Sequence, residues 1–330
     1  MAQDAHFSQY YVAPQYFNPA LAGTADGDYR ISTVYRDQWR SALEAPFRSF
    51  VLTGDTKFEM SYGKTYTPDI IGVGMVIFND AVDFFDLNTN QISLVGSYHK
   101  SLSKRGNSYL GLGLMVGVVQ KNINYDNLTF EDQFDQINGY TLSSSEVLPP
   151  NNFGFADFSL GVNYASGVKN RFFIGGAYHH FFTPNVSFYE AVLNPNPNVT
   201  AINELYEKLT LYISSKLILT EDVNLHPRIL AMMQGSDLEV ELGSNISFPL
   251  GFEQRFTAGL GLRGTDNIDG IRPTAIIPMI AIRKGDFQIG FSYDVNLQDI
   301  VNDRSGLNSF EISMSYIGNY NNELNICPEF

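Results

Sequence analysis

The most constraining feature of the sequence is residues 286–317, where apolar and polar side chains alternate through two consecutive runs. Phe287, Ile289, Phe291, Tyr293, Val295 and Leu297 share one parity; Gln288, Gly290, Ser292, Asp294 and Asn296 share the other. After a stretch rich in turn formers, Phe310, Ile312, Met314 and Tyr316 alternate with Glu311, Ser313 and Ser315. A period of two puts successive side chains on opposite faces of an extended strand, whereas a helix needs apolar residues every third or fourth position. One face is bulky and apolar and the other small and polar, the distribution of a strand with lipid on one side and a polar lumen on the other.

The same alternation recurs at hairpin spacing. Strands are expected over residues 28–39, 47–58, 70–79, 89–101, 107–119, 155–165, 170–180, 207–218, 226–235, 238–248, 254–263 and 274–283, ahead of the pair just described. In residues 107–119, Leu110, Leu112, Leu114, Val116 and Val118 face outward, with Gly111, Gly113 and Gly117 inward. Residues 166–169, containing Gly167, form a compact turn. Pro278 removes a ladder donor in mid-strand, which implies a bulge or a misplaced strand boundary.

A soluble sandwich or propeller also alternates, but its outward face is rich in Lys and Glu. Here the polar face carries Gly, Ser, Asn, Thr and occasional carboxylates, and no blade-length repeat is visible. No run approaches the roughly 18 apolar residues of a spanning helix. The expected fold is therefore all-β: a transmembrane antiparallel β-barrel of about fourteen strands over residues 28–317, with an ordered non-barrel segment at 1–27 and a periplasmic tail at 318–330.

An even strand count is expected to place both chain ends on one side of the membrane, and connection lengths select which. Residues 120–154 and 181–206 are long odd-to-even connections, while the even-to-odd ones include SLSKRG, SGVK and the Lys284-Gly285 turn. Outer-membrane barrels keep short turns on the periplasmic face, so both termini are expected to be periplasmic. Trp39, Tyr35 and Phe47 are expected at the membrane interface of the outer end of the first hairpin.

A net charge of −14 disfavours nucleic acid as a partner, because a binder must replace counterions with a basic surface. The single cysteine, Cys327, permits no internal disulfide and has no companion ligands for zinc. Met1 to Gln3 shows no charged and apolar leader, so any export signal is expected to lie outside this sequence. No catalytic residue, metal site or cofactor is assigned. The string from Gly259 to Gly264 fits GxGxxG but lies in a strand with no βαβ unit after it, so its glycines read as small lumen-facing residues. His6 with Ser8, and the pair His179-His180, have no third group at a recognisable spacing to orient them. Acidic loops at Asp80/Asp83/Asp86, Asp126 to Asp135 and Asp266/Asp269 are candidates to hold calcium, but they lack EF-hand spacing, and solvated loop charge is the alternative reading.

The N-terminal segment has no period of two, and Pro14 and Pro19 interrupt any helix. Gln3, Asp4, His6, Phe7, Ser8 and Gln9, followed by Pro14, Asn18, Pro19, Ala20 and Gly23, resemble the N-terminal signature of the PorP/SprF family. Residues 36–39, RDQW, and the closing Cys327-Pro328-Glu329-Phe330 extend the resemblance. It implies a non-enzymatic outer-membrane protein of the type IX secretion and gliding machinery of Bacteroidota. Such a protein supports secretion or surface retention of a large adhesin, contacts that adhesin's C-terminal region, and meets peptidoglycan-associated or secretion-ring proteins in the periplasm.

A second reading is a channel or transporter for small solutes, since about fourteen strands enclose a lumen that is either filled or open. The aromatic residues Phe7, Tyr10, Tyr11, Tyr16 and Phe17 need burial, and the lumen or its rim offers it. Seven inward charged residues, Arg30, Arg36, Asp157, Glu239, Glu241, Asp294 and Glu311, are candidates for pairing with an inserted peptide. Alternatively they satisfy one another across the lumen, because buried charges need partners.

Overall fold

A computed structural model describes residues 4–40, 46–60, 67–82, 86–104, 107–126, 128–167, 170–188, 204–267, 270–297 and 308–320. Gln3, Asp83, Asp269 and residues 327–330 lie outside this set.

Fourteen strands form one closed antiparallel barrel. They are β1 (Tyr29–Gln38), β2 (Phe47–Met60), β3 (Asp69–Val82), β4 (Leu87–Ser101), β5 (Ser108–Ile123), β6 (Asn152–Ser166) and β7 (Arg171–His179). The second half comprises β8 (Lys208–Ile218), β9 (Asn224–Gln234), β10 (Asp237–Gly251), β11 (Gln254–Asn267), β12 (Gly270–Lys284), β13 (Phe287–Asn296) and β14 (Ser309–Gly318). Each strand pairs with its neighbours in sequence, and β1 closes the ring on β14 from Tyr29↔Gly318 to Gln38↔Ser309. Closure leaves no edge strand with unpaired backbone groups, the condition for crossing a bilayer with strands.

The alternation sorts the faces as the sequence requires. Leu94, Leu112, Val118, Ile280 and Phe291 are exposed on the outside. Inward neighbours such as Ser93, Asn163, Ser292 and Glu311 are buried. This inversion of the soluble pattern leaves an apolar outer wall that only lipid satisfies.

Pro278 stands in mid β12 opposite Leu260 of β11. The ladder to β13 runs Ala275↔Asn296 and Ile276↔Val295 and resumes at Met279↔Ser292, without a change of register. The missing N–H thus falls in an interruption of the ladder, and neither a bulge at Pro278 nor a strand end is needed. The β11–β12 irregularity lies instead at Arg263/Gly264. The first hairpin departs from the expectation at Trp39 and Phe47. Tyr35 faces outward beside Phe310, but Trp39 packs edge-on against Phe47 at 5.3 Å, and both line the inside of the barrel mouth rather than the lipid interface.

Residues 4–27 form no strand. They contain one helical turn, α1 (Pro14–Phe17), and a 3-10 turn (Pro19–Leu21). The strand ends near Tyr29 and Gly318 share one rim, yet Asp4 reaches Lys208 and Gln234, which lie at the other. The last described residue, Tyr320, bonds Asp28 and Thr56 at the first rim. The two ends of the described chain therefore lie at opposite mouths, because the N-terminal segment runs back through the lumen instead of staying beside β1.

Candidate functional site

The lumen and the segment that fills it form the candidate site. Aromatic side chains supply its apolar part. Phe7 meets Tyr16 and Phe17 edge-on, and Tyr16 stacks on Phe78 of β3 with ring centroids 5.1 Å apart. Phe7, Tyr10, Tyr16 and Phe17 are all at most 8% exposed, and burying each contributes roughly 1.5–3 kcal/mol. The Arg228 guanidinium lies 3.9 Å from the Tyr11 ring centroid, a cation–π contact away from water.

Backbone geometry explains the family-like small and proline residues. Pro14 and Pro19 begin the two short turns, where a missing N–H costs nothing. Asn18 caps the second turn by accepting from Ala20 N at 2.8 Å, while its amide donates to the Val162 and Gly176 carbonyls at 3.0 and 3.1 Å. Gly23 has φ 72°, and a Cβ there would come within 2.8 Å of Gly72 Cα. Its N–H donates to Asp55 at 2.7 Å. A Cβ on Gly113 of β5 would stand 2.2 Å from Ala20 N, so the glycines of the barrel wall make room for the inserted backbone.

The charged part lies under the mouth that carries the long connections. Arg36 pairs with Asp294 at 2.9 Å and with Glu311 at 2.5 Å. Arg263 pairs with Asp294 at 2.7 Å, Glu241 at 3.1 Å and Glu239 at 3.3 Å. Ser8 sits at the centre: its hydroxyl donates to Asp294 at 2.8 Å and accepts from Arg36 and Arg263 at 3.1 and 2.6 Å. The N–H groups of Ser8 and Gln9 donate to the two oxygens of Glu311 at 2.7 and 2.9 Å. The Gln9 side chain bridges Ser292 and Ser313 at 3.1 and 2.7 Å. His6 lies 3.7 Å from Glu239.

Two further anchors complete the path. At the long-loop mouth, Asp4 meets His180 at 2.8 Å and Lys208 at 3.3 Å, and His180 also meets Asp157 at 2.9 Å. Deeper in, Arg30 holds Asp55 at 2.9 Å and donates to Gln15 and the Leu21 carbonyl. The seven charged residues singled out from sequence thus fall into three groups. Arg36, Glu239, Glu241, Asp294 and Glu311 form one network, Asp157 belongs to the mouth, and Arg30 pairs with Asp55. Arg30, Arg36, Glu239, Asp294 and Glu311 contact the chain's own N-terminal segment, while Glu241 pairs with Arg263 and Asp157 with His180.

Sequence reasoning passed over Arg263, the hub of the network, and Asp55. The available signal was parity: Arg263 shares the inward face of β11 with Gly259 and Gly261. The hydrolase-like pairs do not assemble a triad. Ser8 is held by arginines and a carboxylate, and His179 faces the buried Ser159 hydroxyl and the Phe17 carbonyl. Among the described residues no three His, Cys, Asp or Glu side chains are grouped to hold a metal ion. Asp132 and Asp135, in the long connection after β5, accept hydrogen bonds from Ser144, Ser145, Asn138 and Thr141 of the same loop.

A closed fourteen-strand barrel with an apolar outer wall and a lumen filled by its own N-terminal segment is an outer-membrane β-barrel protein. The chain belongs to the family of type IX secretion system membrane proteins PorP/SprF, whose model matches residues 1–316. Its family and fold point to secretion or transport rather than to an enzyme. No curated protein matches the chain. Among solved structures it is similar to a FadL homologue from Pseudomonas aeruginosa, with TM-score 0.53 and 10% identity over 91% of this chain and 92% of that one. It is also similar to the toluene transporter TbuX of Ralstonia pickettii, with TM-score 0.48 and 10% identity over 92% of both chains. The toluene transporter TodX of Pseudomonas putida gives TM-score 0.46 and 10% identity over 95% and 94%. At these identities the likeness concerns the fold alone.

Proposed function

We propose that this barrel is a scaffold of the type IX secretion system that retains a large secreted adhesin at the cell surface. On this reading the mouth bearing the long connections faces outward, and the C-terminal region of the adhesin docks there. The opposite mouth, with its short turns and the C-terminal end of the barrel, meets peptidoglycan-associated or secretion-ring proteins in the periplasm. The observation that carries this reading is the filled lumen. Ser8, Gln9 and Asn18 use the inward polar groups that a permeating solute would need. Docking at a rim fits such a molecule better than diffusion through it. Of the seven inward charged residues, Asp157 and Glu239 line cavities at the outward mouth, and Glu239, two residues from the Asp237 end of β10 and with its side chain 16% exposed, is the one most suited to touch a docked partner.

The alternative, a small-solute channel, draws on the cavities left at the two ends of the inserted segment, about 470 Å³ at the long-loop mouth and about 350 Å³ at the other. It requires the segment to be displaced. Deletion of the gene separates the readings. The scaffold role predicts loss of the adhesin from the surface while unrelated type IX cargo is still exported. An adhesin retained at its normal level would put the channel reading first.

A further inference from the structure

The short-turn mouth carries a concentration of positive charge that neither the family nor the docking role explains. Although the protein is strongly acidic overall, Lys57, Arg171, Lys216, Arg255 and Arg283 all lie on inward parity near this rim. Two of the pairings set like charges directly opposite each other, Arg171↔Lys216 between β7 and β8 and Arg255↔Arg283 between β11 and β12. Such pairs are destabilising in a sheet unless something answers them.

The first pair is answered from within. Asp26, at the end of the inserted segment, forms ion pairs with Arg171 and with Lys216, the latter at 3.7 Å. Partial burial alone would raise the Asp26 carboxyl. It is nevertheless held below its ordinary value by its hydrogen bond to Arg171 and by the charges of Arg171, Lys216 and Arg283. Among the described residues the second pair has only backbone hydrogen-bond partners: Arg255 donates to the Asp222 and Ser247 carbonyls, and Arg283 to that of Gly285, feeling the Asp26 charge without an ion pair to it. At this level the described inward residues of β8 to β13 include Asn224, His226, Ser247, Thr257 and Gln288 and no carboxylate. The nearby acids Glu221, Asp222, Glu253 and Asp286 stand exposed in the turns.

We propose that Arg255 and Arg283 form the centre of a binding site for an acidic peptide segment of a partner protein, at the short-turn mouth of the barrel. Asp26 is the internal precedent. It is a carboxylate in the bends that precede β1, seated in the equivalent like-charge pair of the same rim, so an incoming Asp or Glu completes the second pair in the same chemistry. Arginine suits this task because its planar fork binds a carboxylate through two parallel hydrogen bonds. The site is independent of the adhesin reading, since it lies at the other mouth.

The test uses the purified full-length barrel in detergent and a fluorescent peptide of alternating Glu and Gly, read by anisotropy. The Glu peptide is expected to bind and to weaken as salt is raised, while a Gln–Gly analogue does not bind. The double variant Arg255→Gln/Arg283→Gln is expected to lose at least about tenfold in affinity, and Lys284→Gln, on the outward face, to lose none. Asp26→Asn, which frees Arg171 and Lys216, is expected to tighten binding. Heat-dependent gel mobility reports folding, and the double variant is expected to be at least as stable as the parent because it removes repulsion. Unchanged peptide affinity in the folded double variant overturns the proposal. So does displacement of the peptide by an equal concentration of inorganic phosphate, which would make this a general anion site. Failure of Asp26→Asn to tighten binding would remove the precedent on which the peptide assignment stands.

Discussion

Arg36 and Glu311 face each other across the seam that closes the barrel, Arg36 on the first strand and Glu311 on the last. Their side chains pair at 2.5 Å, and the same carboxylate takes the backbone N–H groups of Ser8 and Gln9. One carboxylate thus ties together the two strands that complete the ring and the segment that fills it. The inserted segment and barrel closure are parts of one interaction.

Removing that carboxylate leaves a buried guanidinium with one partner fewer and two buried N–H groups with none. Glu311→Ala is expected to cost about 3–5 kcal/mol, and Glu311→Gln less, because the amide oxygen still accepts one bond. Denaturant-induced unfolding of the refolded barrel measures both. Equal midpoints for Glu311→Ala and the parent would show that the network contributes nothing to stability.

Phe291 and Ser292 are adjacent in sequence and opposite in environment. Phe291→Arg puts a charge on the lipid face and is expected to cost about 2–4 kcal/mol whether or not the inserted segment is present. Ser292 is fully buried against Gln9, so Ser292→Arg is also costly in the full chain. In a chain lacking residues 4–23 the Ser292→Arg penalty is expected to fall, since the arginine then enters free lumen. Folding titrations of the four proteins check this, and an undiminished Ser292→Arg penalty would mean that Gln9 does not occupy the space.

Gly113→Val drives a side chain into the backbone at Ala20 and is expected to unseat the segment while the strands remain paired. Gly96, whose Cβ would meet open space, serves as the control through Gly96→Ala. Hydrogen exchange at Ala20 and Gly23 reports seating. Protection unchanged in Gly113→Val would contradict the close approach.

The barrel was legible because its code is local: parity alone separates Phe291 from Ser292 and Leu112 from Gly113. The path of the N-terminal segment has no such code. Its aromatics announce burial, but nothing in the period of residues 4–23 tells that Asp4 reaches the far mouth, a fact set by Lys208, His180 and Gln234 from distant strands. The charged network was half legible. Arg36, Asp294 and Glu311 stand out within alternating runs, whereas Arg263 closes a glycine-rich string at a register shift, where the strand seemed to end.

The long connection after β5 gives a pH-dependent prediction outside the membrane. The Asp135 carboxyl is held well below its ordinary value by the N–H groups of Asn138 and Ile137 and by the Asn138 and Thr141 side chains. Its folded value is depressed, so the turn it organises is stable above the ordinary Asp value and is lost as pH falls through the lower folded value. The amide shifts of Ile137 and Asn138 are expected to titrate together with a midpoint below about 3.9, the value of an unperturbed Asp. A midpoint at or above that value would show that the carboxylate does not hold the turn.

The central claim is that residues 4–27 fill the lumen. Single-channel conductance in planar bilayers, comparing the full chain with a chain lacking residues 4–23, tests it most directly. The account predicts a closed full-length barrel and a conducting deletion variant that remains folded by heat-dependent mobility. A full-length barrel that conducts as well as the deletion variant would contradict it.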